Sequence, residues 1–418
     1  MKKILNTKIF KTLTKISIYN YAGLFFALVF NTYFVYLLRL NSYGEYVLYL
    51  SYFSILELIG SLGLDVDLLS RLKNKDMALS DLSFYFFISF FLAILIGILF
   101  LFYINNFNTY TILIVALSSL LVMLTNANSI KMSHSLEYIK LTKNNFFMNF
   151  SFYIIAASLL LHIDPIDIFF IKIINGIVFN IYLAIKSGTI LYILVYPSYI
   201  KDSYYVFKNR IISKGSWYLI CSSLFLKTLS AFVPIIIANF GSLSLLALCN
   251  LADKILSQFL LLFKYAQNLI LSYYNKSELV RKFERHKLIL VCLSFLLFCL
   301  VILCQFLYFY LFVKENFHID FYLAIILFSS SVLTYPYRTV IGSIFISNEL
   351  YKLIFFVNLF IVFLIFVIML VLIVCDMFNI LTISITQTIA NIVNTILLHK
   401  IYKNNISKQQ AIRNIKYE

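Results

Sequence analysis

Apolar residues in this chain gather into long runs, each of roughly 18 to 25 positions, broken by short polar stretches. A helix rises about 1.5 Å per residue, so a run of that length crosses the roughly 30 Å of a bilayer's hydrocarbon core. The pattern predicts twelve spans: Ile16–Leu38, Tyr43–Leu64, Leu82–Tyr103, Thr109–Ile130, Phe146–Leu161, Pro165–Ile185, Ser216–Asn239, Leu243–Leu271, Leu288–Val313, Asp320–Ile346, Leu353–Cys375 and Ile380–His399. A transmembrane barrel would instead show segments of about ten residues alternating in polarity, and the chain has none. The expected fold is an all-α polytopic membrane protein.

Composition agrees, with 62% apolar and 12% charged residues, against about 45–50% and 25% in soluble domains. Charge adds an orientation. Of the 34 lysines and arginines, 27 fall in one alternate set of loops and ends, while the other set holds only Arg39 and Lys314. Basic flanks resist translocation, so both termini are expected in the cytoplasm. The net charge of +16 then faces anionic lipid headgroups, and nucleic acid is not an expected partner. The lysine-rich start resembles a signal peptide, but the following run is too long and lacks a cleavage site, which makes it the first span. Six cysteines lie in apolar runs without metal-ligand spacing and read as small core residues.

The longest loop divides the chain into an N-lobe of six spans (1–190), a cytoplasmic linker (191–215), a C-lobe of six spans (216–400) and a cytoplasmic tail (401–418). A weak match at an offset of 200 sets Leu40-Asn41-Ser42-Tyr43 against Phe240-Gly241-Ser242-Leu243, and Ile55-Leu56 against Ile255-Leu256, as expected of a transporter repeat.

A charge at mid-bilayer costs at least about 2.5–3.5 kcal/mol, so each one retained there needs a polar partner or a wet path. The seventh span carries Ser223, Lys227, Ser230 and Pro234 on one face, and the eighth carries Asn250, Lys254, Ser257, Lys264 and Asn268 beside Asp253. In the first half, Asn20, Gly23, Ala27 and Asn31 share a face, as do Ser54, Glu57 and Ser61. Ser331, Thr334 and Arg338 line the tenth span, where Pro336 is expected to kink the helix. Structural readings stand beside these: Lys264, Lys172 and Glu45 can snorkel to headgroups, and Asp253, Lys254 and Glu57 can form ion pairs. The aromatics, 43 Phe and 31 Tyr, are expected to face lipid and the interfaces. His162, Asp164 and Asp167 read as a solvated turn rather than a metal site, and no catalytic motif or cofactor signature is present.

Arg39-Leu40 with Tyr43-Gly44, Leu62-Gly63-Leu64 followed by Arg71, and Ala252-Asp253-Lys254-Ile255 together resemble the polysaccharide flippases of the multidrug/oligosaccharidyl-lipid/polysaccharide exporter superfamily, the O-antigen or capsule repeat-unit translocases called Wzx. The family's proline near the end of the eighth span is replaced by Ala266-Gln267-Asn268. The resemblance implies a V of two lobes with alternating access, moving an undecaprenyl-pyrophosphate-linked oligosaccharide, with a polysaccharide polymerase and a chain-length regulator as further partners. Lys227, Lys254 and Arg338, with Arg39 at the outer mouth, would hold the diphosphate, and Glu57 or Asp253 would couple an ion gradient. The rival readings are a cation-coupled multidrug exporter of the same superfamily and an O-antigen polymerase; the latter is disfavoured by outer loops of only about six residues.

Overall fold

The computed structural model describes residues 2–61, 109–134, 137–159, 164–189, 216–273, 276–313, 319–348 and 350–415, with Phe91, Ile94, Leu95 and Ile98. Every regular element among them is helical: α1 (Lys2–Ser61), α2 (Thr109–His134), α3 (Tyr138–Leu159), α4 (Pro165–Ser187), α5 (Ser216–Phe240), α6 (Leu243–Tyr273), α7 (Lys276–Tyr308), α8 (Ile319–Ser329), α9 (Ser331–Ser347), α10 (Tyr351–Val374) and α11 (Ile380–Ile415). Five π-helical residues, Phe309–Val313, prolong α7.

Seven stretches among the described residues are long and apolar enough to cross a membrane. The chain is an all-α polytopic membrane protein. The expected third span and the linker 191–215 lie outside the described residues, apart from the four isolated positions in that span. Helix α6, at 31 residues, is also long enough to cross, and carries Asp253, Lys254 and Lys264.

The outward faces show the solvent for which this chain is built. On α10, Phe356, Phe360, Phe363, Val367, Leu370 and Val374 are all exposed at helical spacing, while Val357, Ile361 and Met369 are buried. Ile385, Ile389, Ile392 and Ile396 do the same on α11. Apolar stripes this continuous match hydrocarbon, not water. Three cysteines expected in the core, Cys292, Cys299 and Cys375, are exposed, and only Cys249 is buried. In lipid, the outer face tolerates a small apolar thiol as readily as the core does.

By contact the chain divides into two compact units, Met1–Leu251 and Ala252–Glu418. In the first, α1 packs against α2, α3, α4 and α5, and α4 packs against α2 and α3. Some aromatics build its core while others face outward: Phe30, Phe34, Tyr43, Tyr46 and Phe152 are at most 3% exposed, and their rings meet edge-on, tilted or stacked. Asparagines supply the polar ties. Asn128 donates to the Asn180 carbonyl at 2.8 Å, joining α2 to α4, and Asn175 donates to the Met148 carbonyl at 2.7 Å, joining α4 to α3.

Helix α1 holds the first two expected spans, broken at Arg39, whose φ of 66° and ψ of 167° are not helical. Five residues on, Gly44 meets the backbone of the start of α6: a Cβ there would stand 2.0 Å from the Leu243 carbonyl oxygen. Only a residue without a side chain allows that approach.

In the second unit, α7 packs on α8 and α9, and α11 packs on α8, α9 and α10. Gln305 is its polar hub, donating to the Ala252 carbonyl at 2.9 Å and accepting from the Ser329 hydroxyl at 2.8 Å. The tenth span is interrupted at Ser330, between α8 and α9, whereas Pro336 remains inside α9. The break falls six residues before Pro336 at Ser330, which itself keeps helical angles (φ −57°, ψ −23°); its N–H is shared between the Ile326 and Leu327 carbonyls, and the Ser329, Ser330 and Ser331 hydroxyls each bond back to a carbonyl of the preceding turn. Such back-bonding loosens the helical ladder without leaving a polar group unpaired in lipid. At one end of this unit Phe283, Tyr337 and Tyr402 cluster, Tyr337 pairs with His399, and Tyr402 donates to Glu284 at 2.8 Å.

Gly44→Ala is expected to destabilise the protein by at least about 3 kcal/mol, the upper range for overpacking. Gly23→Ala, where the new carbon would sit 3.7 Å from Phe146, should be nearly neutral. Thermal unfolding of the two purified variants in detergent checks this, and equal melting temperatures would contradict the close approach.

Candidate functional site

The two turns paired by the 200-residue offset come together within the first unit. Helix α5 ends at Phe240, the Gly241 N–H returns to the Ile237 carbonyl at 2.9 Å, and the Ser242 hydroxyl accepts from the Leu245 N–H at 3.0 Å, capping α6. Against this turn lies Gly44, and the Tyr43 hydroxyl donates to the Asn250 side-chain oxygen at 3.0 Å. Tyr43 is wholly buried and Asn250 half-buried, so the bond is partly shielded from water. Arg39 sits on the matching turn of α1 with its side chain exposed. Its backbone strain, in a region that non-glycine residues rarely enter, marks the corner that delivers Tyr43 and Gly44 to α6.

The Ala252-Asp253-Lys254-Ile255 element of α6 divides into two roles. Ala252 and Ile255 are buried, and the Ala252 carbonyl is the one that Gln305 caps. Asp253 is exposed, Lys254 is half-buried, and the exposed Ser257 donates to the Lys254 carbonyl at 3.1 Å. The side chains of Lys264 and Asn268 lie outside the described residues, as do those of Lys227 and Glu57, although their backbones belong to α6, α5 and α1.

Arg338 is the clearest of the expected cations. On α9 its guanidinium lies over the Tyr335 ring, 5.8 Å from the centroid, and its Nε is inaccessible and without a hydrogen-bond partner. Among the described residues no carboxylate pairs with it. Tyr335 in turn meets Phe263 of α6, with centroids 6.4 Å apart, so α9 and α6 touch beside this cation. A cation–π contact stabilises a guanidinium but satisfies none of its donors.

Other expected sites have structural answers. The Lys172 ammonium faces the Phe152 ring at 6.0 Å, and Glu45 accepts from Tyr49 at 2.9 Å. Asp164 and Pro165 open α4, with the Asp167 carboxylate accepting from the Asp164 N–H at 3.4 Å; His162 lies outside the described residues. Asn31 is buried, and the Asn20 Nδ2 is buried with no partner. Reasoning from the sequence missed Gln305 and the Tyr43–Asn250 pair, although the signal for Gln305, one amide within the apolar run Val301–Tyr308, was present.

Neither a family model nor a curated protein matches this sequence. Solved structures do. A multidrug-resistance MATE family transporter of the MOP superfamily, in an outward-facing conformation, superposes with a TM-score of 0.61 at 13% identity over 96% of each chain. The fold is MATE-like. The Vibrio cholerae MATE transporter VcmN in its bent form matches with a TM-score of 0.56 at 13% identity, covering 95% of this chain and 98% of the other. A MOP superfamily transporter from Pyrococcus furiosus, described by its reversed binding-pocket polarity and a suggested different function, matches at 0.52 and 12% identity over 95% and 96%. At these identities the likeness concerns the MATE-like architecture alone, and the chemistry must be argued from the side chains of this chain.

Tyr43→Phe, which deletes only the hydroxyl on Asn250, is expected to cost about 0.6 kcal/mol, the average for an interhelical hydrogen bond in a membrane protein. A double-mutant cycle with Asn250→Leu, read by reversible unfolding, should return a coupling of that size; zero coupling would show that the pair contributes nothing.

Proposed function

We propose that this chain is a membrane transporter that works by alternating access, with both termini in the cytoplasm of a bacterial inner membrane. The observation that carries the reading is a MATE-like fold along 96% of the chain. The fold's solved examples include multidrug transporters, which supports export of an amphipathic solute coupled to a cation gradient, with Glu57 or Asp253 as the coupling carboxylate.

A second reading has an observation of its own. Arg338 is a cation with an inaccessible, unpaired Nε and no carboxylate partner among the described residues. That is chemistry for an anion, and a guanidinium offers a diphosphate a fork of donors. With Lys254, Lys227 and Arg39, it supports translocation of a lipid-linked oligosaccharide such as an undecaprenyl-pyrophosphate repeat unit. The Pyrococcus relative described as having a pocket of reversed polarity supports this indirectly, since a MATE-like fold there hosts a pocket of altered charge.

Two strains separate the readings: one deleted for its own O-unit flippase and one made drug-sensitive by loss of its exporters. Restored surface polysaccharide in the first supports the flippase, and raised drug tolerance in the second supports the exporter. Failure in both would remove the transport proposal. Arg338→Gln is expected to lower flippase activity at least about tenfold, the equivalent of one charge-assisted hydrogen bond, while leaving the amount of folded protein unchanged. Full polysaccharide in that variant would take Arg338 out of the substrate path.

A further inference from the structure

Helices α2, α3 and α4 enclose a cavity of about 530 Å3 at the end where α2 finishes, α3 begins and α4 finishes. That volume lies within the roughly 300–1,000 Å3 usual for ligand pockets. Three lysines line it, Lys140, Lys143 and Lys186, against a single carboxylate, Glu137. Glu137 is occupied by Lys140 at 2.6 Å. The other two ammonium groups rest on aromatic faces: Lys143 lies 5.9 Å from the Phe147 centroid, and Lys186 lies 5.5 Å from that of Tyr182 and 3.3 Å from its hydroxyl. The cavity is therefore cationic, with its charges partly held in place by aromatic walls.

A second, independent feature points to a ligand. Asn144 lines the same cavity, is only 8% exposed, and its buried Nδ2 has no hydrogen-bond partner. A buried amide donor left unmade costs about 1–3 kcal/mol, so a site that keeps one gains by admitting an acceptor. None of Arg39, Lys254 or Arg338 lines this cavity.

The walls decide between a soluble anion and a lipid. Tyr182 belongs to the exposed apolar stripe Ile174, Val178, Ile181, Tyr182 and Ile185 on α4, and Phe147 leads to exposed Ile154 on α3. Two lipid-facing stripes thus run up to a cationic cavity at the end of the helices, the arrangement in which acyl chains lie along a protein while the headgroup enters a basic pocket. We propose that this cavity binds the phosphodiester headgroup of an anionic phospholipid, with Lys140, Lys143 and Lys186 supplying charge and the Asn144 Nδ2 donating to a phosphate oxygen. The leaflet is the one on the side marked by the basic loops of the sequence.

The test uses the full chain, purified and delipidated in detergent, then titrated with mixed micelles of phosphatidylglycerol or of phosphatidylcholine. Bound lipid is counted by native mass spectrometry. The wild type is expected to retain phosphatidylglycerol over phosphatidylcholine. In K140Q/K143Q/K186Q that preference should vanish, with a loss of about fivefold for each lysine removed, which corresponds to about 1 kcal/mol per basic residue near a charged surface. The triple arginine variant should keep it, and Asn144→Leu should weaken it. Equal retention of both lipids by the wild type, or an unchanged triple glutamine variant, overturns the proposal. Displacement of the lipid by millimolar inorganic phosphate overturns the lipid assignment in favour of a soluble anion. If the triple variant does not fold, Lys143→Gln alone carries the same titration, with an expected fivefold loss, and no loss in it counts against the site.

Discussion

Hydrocarbon offers no hydrogen bonds, and this constraint organises the rest of the molecule. Every polar group within a span must find its partner inside the protein or be left at a cost of several kcal/mol. The chain meets this with a small set of devices. Hydroxyls of Ser51, Ser119, Ser294 and Thr386 bond back to the carbonyl four residues earlier on their own helix. Amides reach across: Asn128 to Asn180, Asn175 to Met148 and Gln305 to Ala252. These crossing bonds choose which helices pack together, because an apolar side chain is as well solvated by lipid as by a neighbouring helix.

Against that background the unsatisfied groups become informative. The Nε of Arg338 and the Nδ2 of Asn20 and of Asn144 are buried without partners. Such a group points to a ligand only where a second feature accompanies it, since buried atoms of Asn126 and Asn394 are unsatisfied too. The three differ in what accompanies them. Arg338 has a full charge and an aromatic platform, Asn144 shares a cavity with three lysines, and Asn20 has neither, so only the first two carry chemical specificity.

Much of the architecture was legible in the sequence because the bilayer writes itself directly into the hydropathy pattern. The runs around Pro165–Ile185 and Leu353–Cys375 correspond closely to α4 and α10. What was not legible depended on contacts between segments distant in the chain. Tyr43 and Gly44 looked like motif residues, but only the fold shows that one bonds Asn250 and the other lets backbone touch backbone at Leu243. Aromatics in a membrane segment carry no address of their own, so Phe34 in a core and Phe363 facing lipid read alike. In the tenth span the hydroxyls of three consecutive serines bond back to their own helix ahead of Pro336, a local effect that the hydropathy pattern does not carry. The lysines at 140, 143 and 186 were counted for topology, and their gathering around one cavity was invisible without the pairing of α2, α3 and α4.

The division of labour within Ala252-Asp253-Lys254-Ile255 bears on how far a fold can speak for a function. Its buried half is satisfied by packing and by Gln305, interactions that any MATE-like architecture could retain whatever its substrate. Its polar half is an exposed carboxylate beside a half-buried ammonium. The apolar positions of this element preserve the helix contacts, while its charged positions lie on the other side of the same turn. On α9, Arg338 is cationic, and among the described residues no carboxylate pairs with it. A likeness of backbone at 13% identity carries no information about the sign of such residues, which is set by this chain's own side chains.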